Sequence, residues 1–400
     1  MLLFEEALKL VLDEARHINP SVISLPLLDS LNQILAEDVF SDTDLPCFTN
    51  SSMDGFAIRY SDNNSWSIID EIPAGHFHKV DVDIAGAVRI MTGGKLPENA
   101  DTVIPIEDVD ESETKVFLKQ GVQIRPGQFV RHSGEDLLSN SLSVSKNTLL
   151  EPRHLALLAM CGKDTVRVSE PLKIGVMTTG DELIDINQKP VDDKVRASNL
   201  YTILAALKKL NMRTRNIGII NDDKVKIKDA VSAALNSDLD ILITTGGVSV
   251  GKYDYLKDVF RELGVEVFFN SVKIKPGKPV VFGKYQNGNE IKYVFGLPGN
   301  PVSSYATFRI FIEPFLQKVF GQSTEQPTKA ILRSKYTKAD AKRHFIRGIL
   351  SRKDNVYYAT IQGKQSSNNL AGLAQSNCLI LANEDVNTLN VGDEVQCIRI

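Results

Sequence analysis

The chain has 400 residues, 42% hydrophobic and 24% charged, with 46 Lys+Arg against 50 Asp+Glu and a formal net charge of -4. That length exceeds what one hydrophobic core supports and predicts roughly two to four domains. The near-balance of charge gives no global attraction to nucleic acid or to a membrane surface, so an anionic ligand has to be held by local basic groups.

The opening run MLLFEEALKLVLDEA places Leu3, Phe4, Ala7, Leu8, Val11 and Leu12 at helical spacing. Acids interrupt it where a signal peptide needs an unbroken apolar core, so it predicts an amphipathic helix. No later stretch is long and apolar enough to span a bilayer. Cys47, Cys161, Cys378 and Cys397 form no CxxC pair, which argues against a disulfide framework or a thiolate zinc site and for a reducing cytoplasm as the location. LPLLDSLNQILAEDVFS repeats the amphipathic pattern and predicts a second helix with Asp29 or Ser30 as its cap.

Residues 46–139 change character: short Val-, Ile- and Phe-rich segments such as GFAIRY and DTVIPIEDV are separated by Gly, Pro and Asp turns, which predicts a β-rich domain. His76 and His78 inside it are two apart, a spacing that fits a strand face, but no further ligand stands beside them and they read as an exposed edge. EPRHLALLAMCG then returns to helix, with Pro152 at its start and Gly162 past its end. The β-rich domain is therefore expected to be inserted into a discontinuous helical domain made of residues 1–45 and 140–170.

Over residues 171–324 strands alternate with helices: LKIGVMTTG, then SNLYTILAALKKL capped by Ser198; TRNIGII, then DDKVKIKDAVSAAL capped by Asp222 or Asn221; LDILITTGG, then YDYLKDVFRELG. This rhythm predicts a central, mainly parallel α/β domain with helices on both faces, ending in a long helix from Pro301 to about Phe320. Beyond the polar stretch GQSTEQPTKA, residues 325–400 carry short strands such as YYATIQ, CLILA and EVQCIRI and predict a small β-barrel or sandwich, the barrel being preferred.

In an open parallel sheet, ligands bind outside the carboxyl ends of the strands. TTGDEL (178–183), TTGGVSVGKYD (244–254) and LPGNPVSS (297–304) occupy that position, and KIKPGKP (273–279) precedes a strand. There is no GxxxxGK[ST] and no GxGxxG at the first strand, which argues against a Walker-type phosphate loop and a dinucleotide fold. Asp181, Glu182 and Asp254 would stand at neighbouring strand ends as oxygen ligands for a hard cation such as Mg²⁺. Lys275 and Lys278 bring the positive charge a phosphate or oxyanion requires, and Ser303 and Ser304 sit in the first turn of the helix from Pro301. Together they point to a metal-bridged phosphate. Outside this domain, NSSMDGFAI with Asp54 and MTGGKLPENADTVIP suit either tight turns or a substrate rim. Arg343 and Arg347 of AKRHFIRG, with Ser366 and Ser367 of GKQSSNN, suit either solvated loops or fixed donors to a tetrahedral oxyanion.

SSMDGFA, IMTGGKLP, ADTVIP, RPGQFVRHSGED, TTGDEL, TTGGVSVGKYDY, KPGKP and GLPGNPVSS occur in this order along the chain. As an ordered set spanning nearly its whole length, they resemble the molybdopterin molybdenumtransferase (MoeA) family, which is related to the E domain of gephyrin. The resemblance implies a multidomain homodimer that takes adenylylated molybdopterin and molybdate as substrates, releases AMP in a Mg²⁺-dependent step and inserts the metal between the dithiolene sulfurs. It further implies the adenylyltransferase and molybdoenzyme acceptors as partners.

Carried over by motif, Glu182, Asp222 and Asp254 are expected at the metal and pyrophosphate, and Lys275 and Lys278 at the phosphates or the oxyanion, as the catalytic set. Thr179, Gly180, Gly246, Gly247, Ser249, Pro298, Gly299, Asn300 and Ser303 are the expected substrate contacts of the same loops. Asp54 and Thr92 match positions that serve a partner subunit's site, while Arg343 and Ser367 match the C-terminal oxyanion positions. The family's GQGS reads KQSS here, so Lys364 and Ser366 stand where glycines would. Lys273 adds a charge where a small residue is usual. Two other readings share these motifs. A non-catalytic pterin-binding scaffold would have no use for the intact acids and lysines, and a molybdopterin adenylyltransferase would have no use for the additional domains.

Overall fold

The computed structural model describes residues 1–73, 75–248, 255–324 and 326–400. They fall into two compact units, Met1–Ile23 with Ser169–Ile400, and Ser24–Val168.

In Ser24–Val168, a six-stranded sheet runs in the order Thr102–Pro105, Gly55–Ile58, Gly86–Ile90, Ser65–Ile72, Lys115–Leu118, Val109–Glu111. Phe56, Ile58, Trp66, Ala87, Ile104 and Val116 form its core, as the Val/Ile-rich segments predict. The second helix expected from LPLLDSLNQILAEDVFS does not form. That stretch makes the end of the strand Val22–Pro26, one 3-10 turn Leu27–Ser30 and the short strands Ile34–Leu35 and Val39–Phe40. Asn32 at a φ of 62° breaks the run, and Ile34–Leu35 and Val22–Pro26 instead flank the strand Thr165–Ser169 in one sheet. Backbone pairing with a distant strand outweighs local helical periodicity here. His76 and His78 follow the strand Ser65–Ile72 in a loop; His78 pairs with Asp70 at 2.7 Å, and both side chains of that pair are well exposed.

The unit Met1–Ile23 with Ser169–Ile400 is built on a six-stranded sheet ordered Arg213–Ile220, Lys173–Thr179, Ile241–Thr245, Glu290–Leu297, Val281–Asn287, Glu266–Phe269. The first four strands are parallel and the Val281–Asn287 strand runs antiparallel to its neighbours. Ile227, Val231, Leu242, Val259, Phe260 and Val294 fill the space between this sheet and its helices. Two helix starts shift from the sequence expectation. Ala197, not Ser198, precedes the helix Ser198–Lys209. The cap of Lys224–Leu235 is Asp223, whose Oδ1 accepts from the Val225 and Lys226 N–H groups at 2.9 and 3.0 Å. The long helix expected from Pro301 is a helical run with a π turn, Phe308–Ile312, between Pro301–Thr307 and Glu313–Val319. Pro314 accounts for it: proline has no N–H to donate and its ring crowds the carbonyl four residues back.

The last strands close into a five-stranded barrel: Arg343–Lys353, Val356–Ile361, Thr328–Leu332, Glu394–Arg399, Cys378–Ala382 and back to Arg343–Lys353. Aromatic rings join this barrel to the sheet. Phe345 meets Phe4 edge-on at 5.2 Å, Phe4 meets Phe311 at 5.6 Å, Phe311 meets Phe269 at 6.0 Å and Phe269 meets Phe282 at 5.8 Å. Each such buried ring contributes about 1.5–3 kcal/mol, so the N-terminal helix Phe4–Glu14 is pinned between the two layers. Among the described residues no helix is long and apolar enough to cross a membrane.

Candidate functional site: two adjoining cavities

The chain enters the parallel sheet at Lys173–Thr179, moves outward to Arg213–Ile220, then crosses back to Ile241–Thr245 on the other side of the first strand. The loops leaving Thr179 and Thr245 therefore diverge, and a crevice opens between them at the carboxyl edge. A cavity of about 390 Å³ lies there, lined by Thr179, Glu182, Asp222, Gly246, Gly247, Pro298, Gly299 and Asn300 among others.

Tight turns make this crevice possible. Gly180 has a φ of 154° and the Glu182 carboxylate lies against it, 2.6 Å from where a Cβ would stand. Gly246, at a φ of 88°, packs so closely that a Cβ would lie 2.5 Å from the Thr179 carbonyl oxygen. The strand ends are stitched by Thr178 Oγ1 donating to the Thr245 carbonyl at 3.2 Å, by Thr245 Oγ1 donating to Thr178 Oγ1 at 2.8 Å, and by Gly246 N–H donating to the Leu297 carbonyl at 3.0 Å. Thr179 is 3% exposed and its Oγ1 has no partner among the described residues. That hydroxyl is packed under the Gly246–Gly247 turn, out of contact with solvent, as a buried polar group without a protein partner among the described residues. Asp181 is turned to structural use: its Oδ1 accepts from Asn221 Nδ2 and from Asp222 N–H, both at 3.1 Å, which ties two loops together. Ser249 and Asp254 lie outside the described residues.

A second cavity, of about 300 Å³, shares Pro279 and Asn300 with the first. One side is the KPGKP turn with Lys275 and Lys278; facing it are Ser303, the barrel residues Tyr336, Lys342, His344 and Arg347, and Gln365 and Ser367. Gly277 lets the turn sit on the helix Pro301–Thr307, a Cβ there being 2.4 Å from Thr307 Cγ2. The Ser367 loop docks on the same helix: Val302 N–H donates to the Ser367 carbonyl at 3.1 Å and Asn300 Nδ2 donates to Ser367 Oγ at 3.0 Å. One N–H of that first turn is thus used by the protein itself rather than left for an anion.

Of Arg343 and Ser367, both expected at the oxyanion, only Ser367 lines this cavity. Arg343 does not line this cavity; its guanidinium is held by Glu5 and Glu384 and lies 5.0 Å over the Phe4 ring. Arg347 lines it instead, 1% exposed, donating to the carbonyls of Lys364, Ser366 and Asn369. Those bonds hold the KQSS loop in shape. Neither Lys364 nor Ser366 has a positive φ, and the left-handed turn falls on Gly363 at 56°, so the missing glycines are not needed. Lys342, His344 and Gln365 were not singled out from the sequence; nothing in their spacing marks them.

Behind this wall, burial works to raise the Asp340 carboxyl, but hydrogen bonds from His344 and the Lys342 N–H and the nearby positive charges bring it down to about 2. Burial pushes the His344 imidazole below its ordinary value, against the pull of Asp340. In the other unit, exposed Asp54 accepts from Thr92 N–H and Oγ1 at 2.6 and 2.7 Å, bonds that hold its carboxyl below the usual range.

Residues 2–162 match the MoeA N-terminal region (domain I and II), residues 175–318 a probable molybdopterin binding domain, and residues 329–400 the MoeA C-terminal region (domain IV). The chain is 33% identical over 407 residues to a molybdopterin molybdenumtransferase of Haemophilus influenzae, covering 96% of this chain and 97% of the relative. The chain belongs to the molybdopterin molybdenumtransferase family. A Bacillus subtilis molybdopterin molybdenumtransferase is 32% identical, covering 94% of this chain and 89% of its own length. The crystal structure of a molybdopterin biosynthesis moeA protein from Pyrococcus horikoshii OT3 superimposes with a TM-score of 0.82 at 28% identity, covering 99% of each chain. The α/β sheet, the β-rich sheet and the C-terminal barrel are thus the architecture of this transferase family, and the two adjoining cavities lie within its molybdopterin-binding and C-terminal regions.

Proposed function

We propose that this chain is a transferase of molybdenum cofactor biosynthesis that inserts molybdenum into molybdopterin, and that its substrates are molybdate and the adenylylated pterin. The observation that carries this reading is the contact between the two cavities at Pro279 and Asn300: a crevice with carboxylates adjoins one with lysines and serines. A pyrophosphate in the first and a tetrahedral oxyanion in the second would stand next to each other, as a transfer between them requires.

A hard cation suits the first cavity. Its described polar side chains are oxygen or amide donors, Glu182, Asp222, Thr178, Thr179, Asn199 and Asn300, with no thiol or imidazole. No group of three or more His, Cys, Asp or Glu gathers at ligand spacing among the described residues. Glu182 and Asp222, with Asp254 as the third expected ligand, would leave the remaining positions to phosphate oxygens and water, which matches the habit of Mg²⁺. Bound there, Mg²⁺ would neutralise charge developing on the pyrophosphate. The turn backbone of Gly246 and Gly247 orients the phosphates. Lys275 and Lys278 attract the oxyanion, and Ser303 and Ser367 fix it. Asp54 and Thr92 serve the partner's cavity in a homodimer, with the adenylyltransferase and molybdoenzyme acceptors as further partners and the cytoplasm as the site of action.

The test is to incubate the purified protein with adenylylated molybdopterin, Mg²⁺ and molybdate, and to follow AMP and pterin-bound molybdenum. Both should rise together. Absence of AMP under conditions where a known active relative releases it would refute the assignment.

A further inference from the structure

Among the described residues the lysine-rich cavity has no acidic side chain in its lining, yet a carboxylate stands directly behind it. Asp340 Oδ2 lies 3.5 Å from Lys342 Nζ and 3.9 Å from Lys275 Nζ, and both lysines line the cavity. Oδ1 is 2.8 Å from His344 Nε2 and accepts from the Lys342 N–H at 3.2 Å. His344 is 2% exposed, and its Nδ1 is 2.8 Å from the Tyr336 hydroxyl. With Asp340 ionised, Nε2 carries the proton and donates to Oδ1, and Nδ1 accepts from Tyr336. The imidazole thus fixes the carboxylate in place while leaving Oδ2 turned to the lysines.

We propose that Asp340 is an internal counter-anion that competes with the incoming oxyanion for Lys275 and Lys342, setting both the affinity of the cavity and its preference for dianions over monoanions. The inference rests on the oxyanion reading of this cavity given above. Its first support is geometric. The two lysine contacts are long, and the side chains are 57% exposed for Lys275 and 30% for Lys342, which is the regime of weak, displaceable pairs. Arg343 is different: Glu5 and Glu384 hold it, and its side chain is 11% exposed. The second support is charge. A dianion is drawn to the lysines about twice as strongly as a single carboxylate at equal distance, so it displaces Asp340, whereas a monoanion only matches it. Asp340 is ionised at neutral pH, because against burial the hydrogen bonds from His344 and the Lys342 N–H and the nearby positive charges hold its carboxyl well below the usual range. A cavity that must hand its oxyanion to the pterin gains from such tempering, because tight ground-state binding does not speed transfer.

The experiment is calorimetric binding of molybdate to the full chain without pterin, with chloride as competitor. Asp340→Asn keeps an oxygen for His344 and for the Lys342 N–H but removes the charge. We expect it to bind molybdate roughly tenfold more tightly and to become more sensitive to chloride. Asp340→Ser should tighten binding in the same direction. Unchanged or weaker binding in a folded variant overturns the counter-anion role, and failure of both variants to fold would assign Asp340 to structure and overturn it equally. Lys278→Met separates this result from the underlying reading: if wild-type binding does not depend on Lys278, the cavity is not the oxyanion site, whereas Lys278-dependent binding that Asp340→Asn leaves unchanged removes only the counter-anion.

Discussion

Gly246→Ala tests the crevice at its tightest point. The residue has a φ of 88°, and an added Cβ would lie 2.5 Å from the Thr179 carbonyl oxygen and 3.1 Å from Thr179 Oγ1. A side chain in left-handed backbone costs about 1–2 kcal/mol. The clash is with backbone rather than with the end of a flexible chain, so strand ends must shift, at about 1–3 kcal/mol for an overpacked site. The sum is about 2–5 kcal/mol. For a domain the size of residues 175–318, where each kcal/mol moves the midpoint by roughly 2–4 °C, this predicts a fall of about 4–20 °C. Scanning calorimetry reads that fall, and a fluorescence titration with molybdopterin reads the second consequence, weaker binding, because the displaced atoms are those of Thr179. A variant with wild-type midpoint and wild-type pterin affinity would refute the argument that close approach of these two loops builds the site.

Arg347→Met and Arg343→Met should separate the two arginines. The first leaves the Lys364, Ser366 and Asn369 carbonyls without their donor, costing about 2–4 kcal/mol and weakening molybdate binding; the second should loosen the Glu5 contact and leave molybdate affinity within about twofold, and equal effects on affinity would refute the distinction. Glu182→Gln keeps the shape of the crevice and should lower AMP release by about 10²-fold with little change in pterin affinity; an equal loss of both would make Glu182 a binding group. Asp238, held at about 2 by hydrogen bonds from Lys173 and Arg215, and Glu262, held at about 2 by Lys224 and Lys228, are depressed on folding. Their stabilising effect is therefore complete above the unfolded carboxylate values near pH ~4 and is lost as pH falls toward ~2; thermal midpoints should drop over that window, and a smaller drop in Glu262→Gln checks the source.

How much of this was legible beforehand depends on whether the determining contacts are local. The strand and helix alternation of residues 171–324 was readable, because periodicity and turn residues act within a few positions. LPLLDSLNQILAEDVFS has real helical spacing, but the strand it pairs with lies at Thr165–Ser169, and no local pattern carries that. The Asp223 cap was missed by one residue among adjacent Asn and Asp candidates, any of which can cap in isolation.

The sequence by itself determined which chemical groups are present and in what order: acids and glycines at the strand ends, lysines in KPGKP, hydroxyls in PVSS and KQSS, together enough to point to the family. Only the tertiary structure decided which of them meet. Arg343 and Arg347 lie four residues apart on one strand, Arg343–Lys353, where even spacing puts both on the same face. The N-terminal helix covers one and the 364–369 loop covers the other, so one arginine anchors a helix and the other shapes a binding loop. Asp340 and His344 gain their relation to Lys275 in the same way, because the strand Ile274–Lys275 pairs with Arg343–His344 across some seventy residues of chain. Side-chain chemistry is local and travels with the sequence, whereas the environment that assigns it a role is made by segments the chain brings back from far away.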